Sequence, residues 1–367
     1  MGIKKGFLSF IKKRYPSVFQ NVHISQFKGK KLVIDIFSFF YRYIHTFGKD
    51  DNRWVSSMFK HFLTFKKYGV TVIPIFDGKP PTEKTDEQKQ RRERKEQSEN
   101  KICHLEADLE EYISEGKVTE LLEEVNTQLL NKKMNRVLMK NKLFKQKPSK
   151  IDIIEIRNYI ENSRRKSGFL VKKDIDLIKG LFDIFGINYI QAEQEAETLG
   201  CYLQNSGVCD CVISLDSDCI AYGIDYFIIE MNQSGACTIF DVNELCQLMD
   251  MTKEQVRDLC IVCQCDYNSN GGGIEGVGPT KAIKLLSLHK TIEGILENGY
   301  KDLDLNYIRC REIFNTKYPT EEEVFKNISW KKEVDINDIE KYLVSNNIPI
   351  HMTDVNSVWL SNNSKKY

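Results

Sequence analysis

Lys31-Leu32-Val33-Ile34-Asp35-Ile36-Phe37 is a short β-branched run interrupted by a single acid, and the reading of the fold turns on that interruption. The plan returns in Val70 to Phe76, followed at once by Asp77-Gly78-Lys79-Pro80-Pro81. It returns again in Cys209-Asp210-Cys211-Val212-Ile213-Ser214-Leu215, followed by Asp216-Ser217-Asp218. Each run reads as a buried strand ending at an aspartate. Strands that alternate with helical segments predict a parallel sheet in an α/β fold. Ligands of such sheets gather beyond the carboxyl ends of the strands, where these acids fall.

The chain has 367 residues, 41% of them hydrophobic, which is enough for a sizeable core in one large domain or two ordinary ones. A formal net charge of +1 supplies no global attraction to nucleic acid, so such a partner has to be met by a local basic surface. Eleven cysteines diluted in a Lys- and Glu-rich chain without a secretory signal read as reduced intracellular thiols. Neither export nor membrane insertion is expected: Met1-Gly2-Ile3-Lys4-Lys5-Gly6-Phe7 lacks an apolar signal region, and no stretch reaches the roughly 18 to 20 apolar residues of a membrane span. Gly2 suits N-myristoylation, but Gly6 stands where that motif needs Ser or Thr.

From about 82 to 170 the chain is highly charged, and the charge is segregated. Ile102 to Val125 holds eight acids against Lys117 alone, whereas Asn131 to Lys150 holds eight bases and no acid. Leu121, Leu122, Val125, Leu129 and Leu130 recur near helical spacing. The stretch reads as helices projecting from the core, acid facing base, or as a plain solvated helical insertion.

Seven acids stand out by position: Asp35, Asp77, Glu195, Glu197, Asp216, Asp218 and Asp266. A lone aspartate at a strand end is more often a helix cap than a ligand. The pairs change that. Glu195 and Glu197 would diverge in mid-helix, yet both face one point at a loop-to-helix junction, and Asp216 and Asp218 do the same. Carboxylates drawn together repel unless cations neutralise them. Hard divalent ions, Mg²⁺ or Mn²⁺, favour such oxygen donors. Two of them about 3.5 to 4 Å apart serve phosphodiester hydrolysis without a nucleophilic side chain. A zinc site of Cys260, Cys263 and Cys265 with Cys209 and Cys211 is disfavoured, because strand spacing points the last two to opposite faces.

From Met1 to about Leu286 the chain resembles the flap-endonuclease/XPG family of structure-specific nucleases. The blocks that carry the resemblance are Met1-Gly2-Ile3, Val33-Ile34-Asp35, Phe76-Asp77-Gly78-Lys79-Pro80-Pro81, Glu195-Ala196-Glu197, Asp216-Ser217-Asp218, Asp266-Tyr267 and Gly276-Val277-Gly278-Pro279, in that order. The resemblance implies a PIN-like 5′ nuclease core with a helical arch and a helix-turn-helix (H2TH-type) DNA-binding element. It implies that the seven carboxylates hold two Mg²⁺ ions, with Mn²⁺ as the substitute. It gives Lys84 and Arg91, at the base of the arch, the scissile phosphate, where cations stabilise developing charge. Set against this is a solvated helix face, since Asp86, Glu87 and Glu93 are interspersed. It makes Tyr41 a base-stacking aromatic, against ordinary helix packing, and places Gly2 among the DNA contacts.

Gly276 to Lys284 reads as a glycine turn opening a helix whose backbone N–H groups suit an anion. The resemblance makes Gly276, Gly278 and Lys281 duplex-backbone contacts, with K⁺ in the turn, and such contacts carry no sequence readout. Three departures stand out: Gln264 replaces a usual Gly, Glu193 a common Pro, and Asn270-Gly271-Gly272-Gly273 lengthens the turn. The arch is also longer than usual. The expected division is 1–101 and 171–300 for the two parts of the nuclease core, the second with the H2TH-type element, 102–170 for the extended arch, and 301–367 for a C-terminal extension. The ending Val358-Trp359-Leu360-Ser361-Asn362-Asn363 lacks a sliding-clamp motif.

The expected activity is a 5′-flap endonuclease acting as a monomer on branched or flapped DNA in replication, repair or recombination. Its expected place is intracellular, in a nucleus or a viral replication site. The alternatives are a 5′-3′ exonuclease or junction resolvase of the same superfamily, a PIN-like ribonuclease, and a catalytically silent DNA-binding scaffold.

Overall fold

Asp35 ends its strand by starting a helix: its Oδ1 accepts from Phe37 N at 3.0 Å and Ser38 N at 3.4 Å. The strand read in the 31–37 run therefore ends at its aspartate, and Ile36 and Phe37 open the helix. The computed structural model describes residues 2–3, 6–49, 51–137, 150–168, 170–268, 273–274, 276–301, 303–318 and 334–360. Its strands are β1 (Phe19–His23), β2 (Lys31–Asp35), β3 (Thr71–Phe76), β4 (Ile190–Gln191), β5 (Cys211–Ile213), β6 (Tyr226–Met231) and β7 (Ala236–Asp241).

They form one sheet in the order β1-β7-β6-β5-β2-β3-β4. From β6 through β4 the neighbours are parallel, whereas β7 runs antiparallel to both β6 and β1. The sheet is thus mixed where a parallel one was expected. The cause is local: Asn232 Oδ1 accepts from the N–H groups of Ser234 and Ala236, and Gly235 takes φ +97, which closes a tight hairpin between β6 and β7.

The helices are α1 (Phe7–Arg14), α2 (Ile36–Phe47), α3 (Arg53–Lys67), α4 (Thr85–Glu115), α5 (Glu120–Val137), α6 (Ile153–Ser167), α7 (Lys172–Ile184), α8 (Ala196–Asn205), α9 (Val242–Met249), α10 (Lys253–Val262), α11 (Pro279–His289), α12 (Ile292–Glu297), α13 (Tyr307–Phe314) and α14 (Ile336–Ser345). Successive strand residues point to opposite faces, so β2 sends Val33 into one apolar cluster and Leu32 and Ile34 into the other. The first cluster packs α1, α8 and α10 to α13 on the sheet, and the second packs α2, α3, α7 and α14. The segment after 300 supplies Phe314 to one cluster and Leu343 and Trp359 to the other. Cys209, Cys211, Cys260, Cys263 and Cys265 are buried in the same clusters.

A third cluster belongs to the insertion alone. Ile102, Leu105 and Leu109 of α4 meet Leu122 and Val125 of α5 and Ile156 and Ile160 of α6. Helix α6 pairs with both charge blocks, Arg164 with Glu106 and Glu155 with Lys133 at 3.0 Å. Lys140, Lys142, Lys145 and Lys147 of the basic block lie outside the described residues, as do Asn270 to Gly272. Helix α4 begins at Thr85 and runs unbroken across the boundary expected at 101/102. Among the described residues no helix is long and apolar enough to cross a membrane.

Candidate functional site

Parallel strands deliver Asp35, Asp77 and the Asp216-Ser217-Asp218 turn to one edge of the sheet, at the carboxyl ends of β2, β3 and β5. Two helix starts bring the rest. Glu195 is the N-cap of α8 and Glu197 its second residue, so both lie at a loop-to-helix junction. Asp266 opens a single 3₁₀ turn just beyond α10. Several of these acids also hold backbone. Asp77 Oδ1 accepts from Ala196 N at 2.8 Å and Asp216 Oδ1 from Asp218 N at 2.9 Å, so capping and convergence use the same side chains.

Lys84 sits among them, almost fully buried. Its Nζ is 2.6 Å from Glu195 Oε1, 3.5 Å from Glu197 Oε1 and 3.8 Å from Asp266 Oδ2, and lies over the Tyr267 ring at 4.7 Å. Arg91, about two turns further along α4, reaches Asp266 Oδ2 at 2.9 Å. The α4 base thus brings both cations to the acids.

The electrostatics follow from burial and crowding. Desolvation, then the charge of Asp77, pushes Asp35 well above the carboxylate range, and desolvation, then Asp216, does the same to Asp218. Asp77 rises to about 7 and Asp216 to about 6, each through desolvation and then Glu197. Burial pulls the Lys84 ammonium down, but Glu197 and Glu195 outweigh it and hold it well above its usual value. Repulsion links all the acids into one unit.

The chemistry of these donors fits hard divalent ions. All are carboxylate oxygens, and both oxygens of Asp218 are buried with no hydrogen-bond partner. Among the described residues no three His, Cys, Asp or Glu side chains are drawn close enough around one point to cage an ion. The Lys84 ammonium lies between Glu195, Glu197 and Asp266 and supplies positive charge there.

Tyr41, two turns along α2, is half-buried, with Lys95 Nζ 5.3 Å over its ring. Gly2 lies against the Asp216 to Asp218 turn: at φ +85, an added Cβ would stand 2.0 Å from Asp216 Oδ1, and Ile3 N donates to Ser217 Oγ at 2.9 Å. Gly276 takes φ +70 in the turn before α11, Gly278 is its N-cap, no side chain caps that helix, and Lys281 is exposed beside it. Among the described residues, no hydrogen bond or ion pair joins Gly276, Gly278 or Lys281 to the carboxylates.

Other contacts were not legible in the sequence. Tyr267 donates to Glu195 Oε2 at 2.7 Å, and its hydroxyl meets that of Tyr222 at 2.8 Å, which meets Thr198 at 2.7 Å. Phe314 of α13 packs edge-on against both tyrosines at 5.2 and 5.0 Å. Arg309 Nε bonds Glu83 Oε1 at 2.7 Å, tying α13 to the residue before Lys84. The Asp266-Tyr267 dipeptide was the one available signal for this support.

All seven acids fall in segments that match known families. Residues 1–98 match the XPG N-terminal domain and residues 186–266 the XPG I-region. The chain is 28% identical over 361 residues to a probable RAD2-like endonuclease of Invertebrate iridescent virus 3, covering 93% of this chain and 91% of that one. It is 27% identical over 363 residues to flap endonuclease 1 of Caenorhabditis elegans, covering 94% and 81%. Among solved structures, flap endonuclease-1 from Methanococcus jannaschii superposes with a TM-score of 0.57 at 20% identity, over 94% of this chain and 97% of that one. The catalytic core of Rad2 in complex with DNA substrate superposes with a TM-score of 0.57 at 14% identity, over 98% and 99%. These last two likenesses are of fold.

Proposed function

The chain belongs to the flap endonuclease/XPG family of structure-specific nucleases, and from that premise we propose that it is a 5′-flap endonuclease cutting DNA by two-metal-ion catalysis. The observation that carries the reading is the meeting of Asp35, Asp77, Glu195, Glu197, Asp216, Asp218 and Asp266 in one electrostatic unit beside Lys84. These carboxylates would hold two Mg²⁺ ions, or Mn²⁺ in their place. Bound there, such ions supply an activated water and charge for the leaving oxygen.

The chain's own residues do the rest. Lys84 and Arg91 stand where they can neutralise charge growing on the scissile phosphate. Tyr267 and Asp77 fix the start of α8, and so the direction of Glu195 and Glu197. Tyr41, braced by Lys95, offers a ring to a base next to the cut. Gly2 packs the chain start against the Asp216 turn, near enough to that site to meet DNA. Gly276, Gly278 and Lys281 would grip duplex backbone, with K⁺ in the turn, away from the carboxylates. The working form is a monomer acting on branched or flapped DNA in replication, repair or recombination, in a nucleus or a viral replication site.

The test is cleavage of a labelled 5′-flap duplex with Mg²⁺, with EDTA, and with Asp216→Asn, beside blunt duplex and a four-way junction. Metal-dependent cutting at the flap base, lost in the variant, is expected. Preference for the junction would keep the chemistry and overturn the flap assignment, and DNA binding without cutting would overturn the catalytic reading.

A further inference from the structure

Behind the carboxylates lies a second cleft, of about 470 Å³, where α8, the chain after Ser217–Ile220, the start of α10 and the end of α13 meet. Thr198 and Tyr222 form its wall towards the carboxylates, their hydroxyls joined to each other and, through Tyr267, to Glu195. Those side chains separate the two sites.

The lining of the cleft includes a buried cation. Arg257 lines it at 8% exposure, its Nε donating to Ala221 O at 2.8 Å and its Nη2 beside Gly223. Burial disfavours this guanidinium's charge, and the nearby carboxylates of Glu254 and Asp258 favour it. Asp258 is held by Arg311 Nε and Nη2 at 2.7 and 2.6 Å, and Asp225 by Lys253 at 2.6 Å. Glu254, exposed at the rim, is the one acid among the described lining residues. Lys317 adds an exposed ammonium to the lining. A buried charge whose neighbouring carboxylates are solvent-exposed, like Glu254, or shared with another cation, like Asp258 with Arg311, is only partly compensated. The group that fits a planar, forked cation flanked by an ammonium is a tetrahedral oxyanion.

We propose that this cleft is a phosphate-binding site, with Arg257 as its buried anchor and Lys317 as its outer contact. The phosphate comes either from a DNA strand or from a free phosphate or nucleotide. The proposal goes beyond the nuclease reading and does not depend on it.

The full chain, kept in EDTA so that no metal-held phosphate contributes, is titrated by calorimetry with inorganic phosphate and with deoxyadenosine monophosphate. Its binding to a flapped duplex is followed across a salt series. Arg257→Met, which keeps the buried stem, and Lys317→Ala, at the exposed rim, are measured alongside. A free-phosphate site gives saturable binding that weakens by about tenfold or more in each variant. A DNA-phosphate site gives no saturable small-ligand binding, but lowers the slope of log affinity against log salt by about one in each variant. If neither small ligand binds and all three proteins share one salt slope, the proposal is overturned. Lys317→Ala carries the test should Arg257→Met fail to fold. No readout requires cleavage, so this site and the nuclease reading stand or fall separately.

Discussion

Lys84 Nζ and Glu195 Oε1, 111 residues apart in sequence, lie 2.6 Å apart with both side chains about nine-tenths buried. The ammonium partly offsets a repulsion that would otherwise push the start of α8 away from Asp266. Removing one partner of a buried pair costs about 3–5 kcal/mol. Lys84→Met is therefore expected to lower the melting temperature in EDTA markedly, with Mg²⁺ restoring part of the loss. Cleavage should fall by roughly 10²–10³-fold if the same ammonium also meets the phosphate. A melting temperature in EDTA equal to wild type would show that the pair does not hold the site together.

The raised acids set a pH dependence. Asp77, at about 7 through desolvation and then Glu197, keeps a proton in the native chain that the unfolded chain releases near its usual value of 3.8. The stabilisation is whole below that lower value and is lost as pH rises through about 7. His61 works in the opposite sense: desolvation, then Arg42, lowers it to about 3, so its contribution is lost only as pH falls below 6.5. Between pH 6.5 and 8 the His61 contribution is constant, so the raised acids set the trend. Metal-free protein should melt lower at pH 8 than at pH 6.5, and added Mg²⁺ should raise the melting temperature more at pH 8. Equal shifts at both would contradict this.

Gln264 follows α10 at φ +72, with its N–H bonded to Ile261 O at 3.0 Å. A left-handed residue after a helix is ordinarily glycine, and a side chain there costs about 1 kcal/mol. That explains why Gly is usual at this position in the family the chain resembles. Gln264→Gly is expected to raise stability by about 1 kcal/mol in urea unfolding. A destabilised variant would mean that contacts of the glutamine side chain outweigh the backbone strain.

The insertion has its own core, and Leu122 is fully buried in it. Leu122→Ala should remove about 2–5 kcal/mol locally. Hydrogen exchange would then speed up in α5 and α6 while amides of β2 and β3 keep their protection, because the three apolar clusters are separate. Uniform acceleration across the sheet would show instead that insertion and core unfold together.

Much of the fold was legible because strand signals are local. Val33-Ile34 and Ile73 to Phe76 are apolar on both faces, which only a sheet covered on both sides requires. The antiparallel edge was not legible, since the β6–β7 hairpin depends on how Asn232 and Gly235 close a turn. The positions of the seven acids were readable, but not that Asp77 would cap the strand-to-helix corner at Ala196 from 119 residues away.

By itself, the sequence determined the central strands β2, β3 and β5 and the acids that stand at their ends, because propensity and patterning act over a few neighbours. Only the tertiary structure decided that Lys84 enters the carboxylates, that Phe314 and Arg309 of α13 brace them, and that Arg257 is buried in the wall of a cleft. Burial is what makes those long-range choices matter. A charge taken out of water must find its partner wherever the chain crossings place one, and no local pattern encodes that crossing.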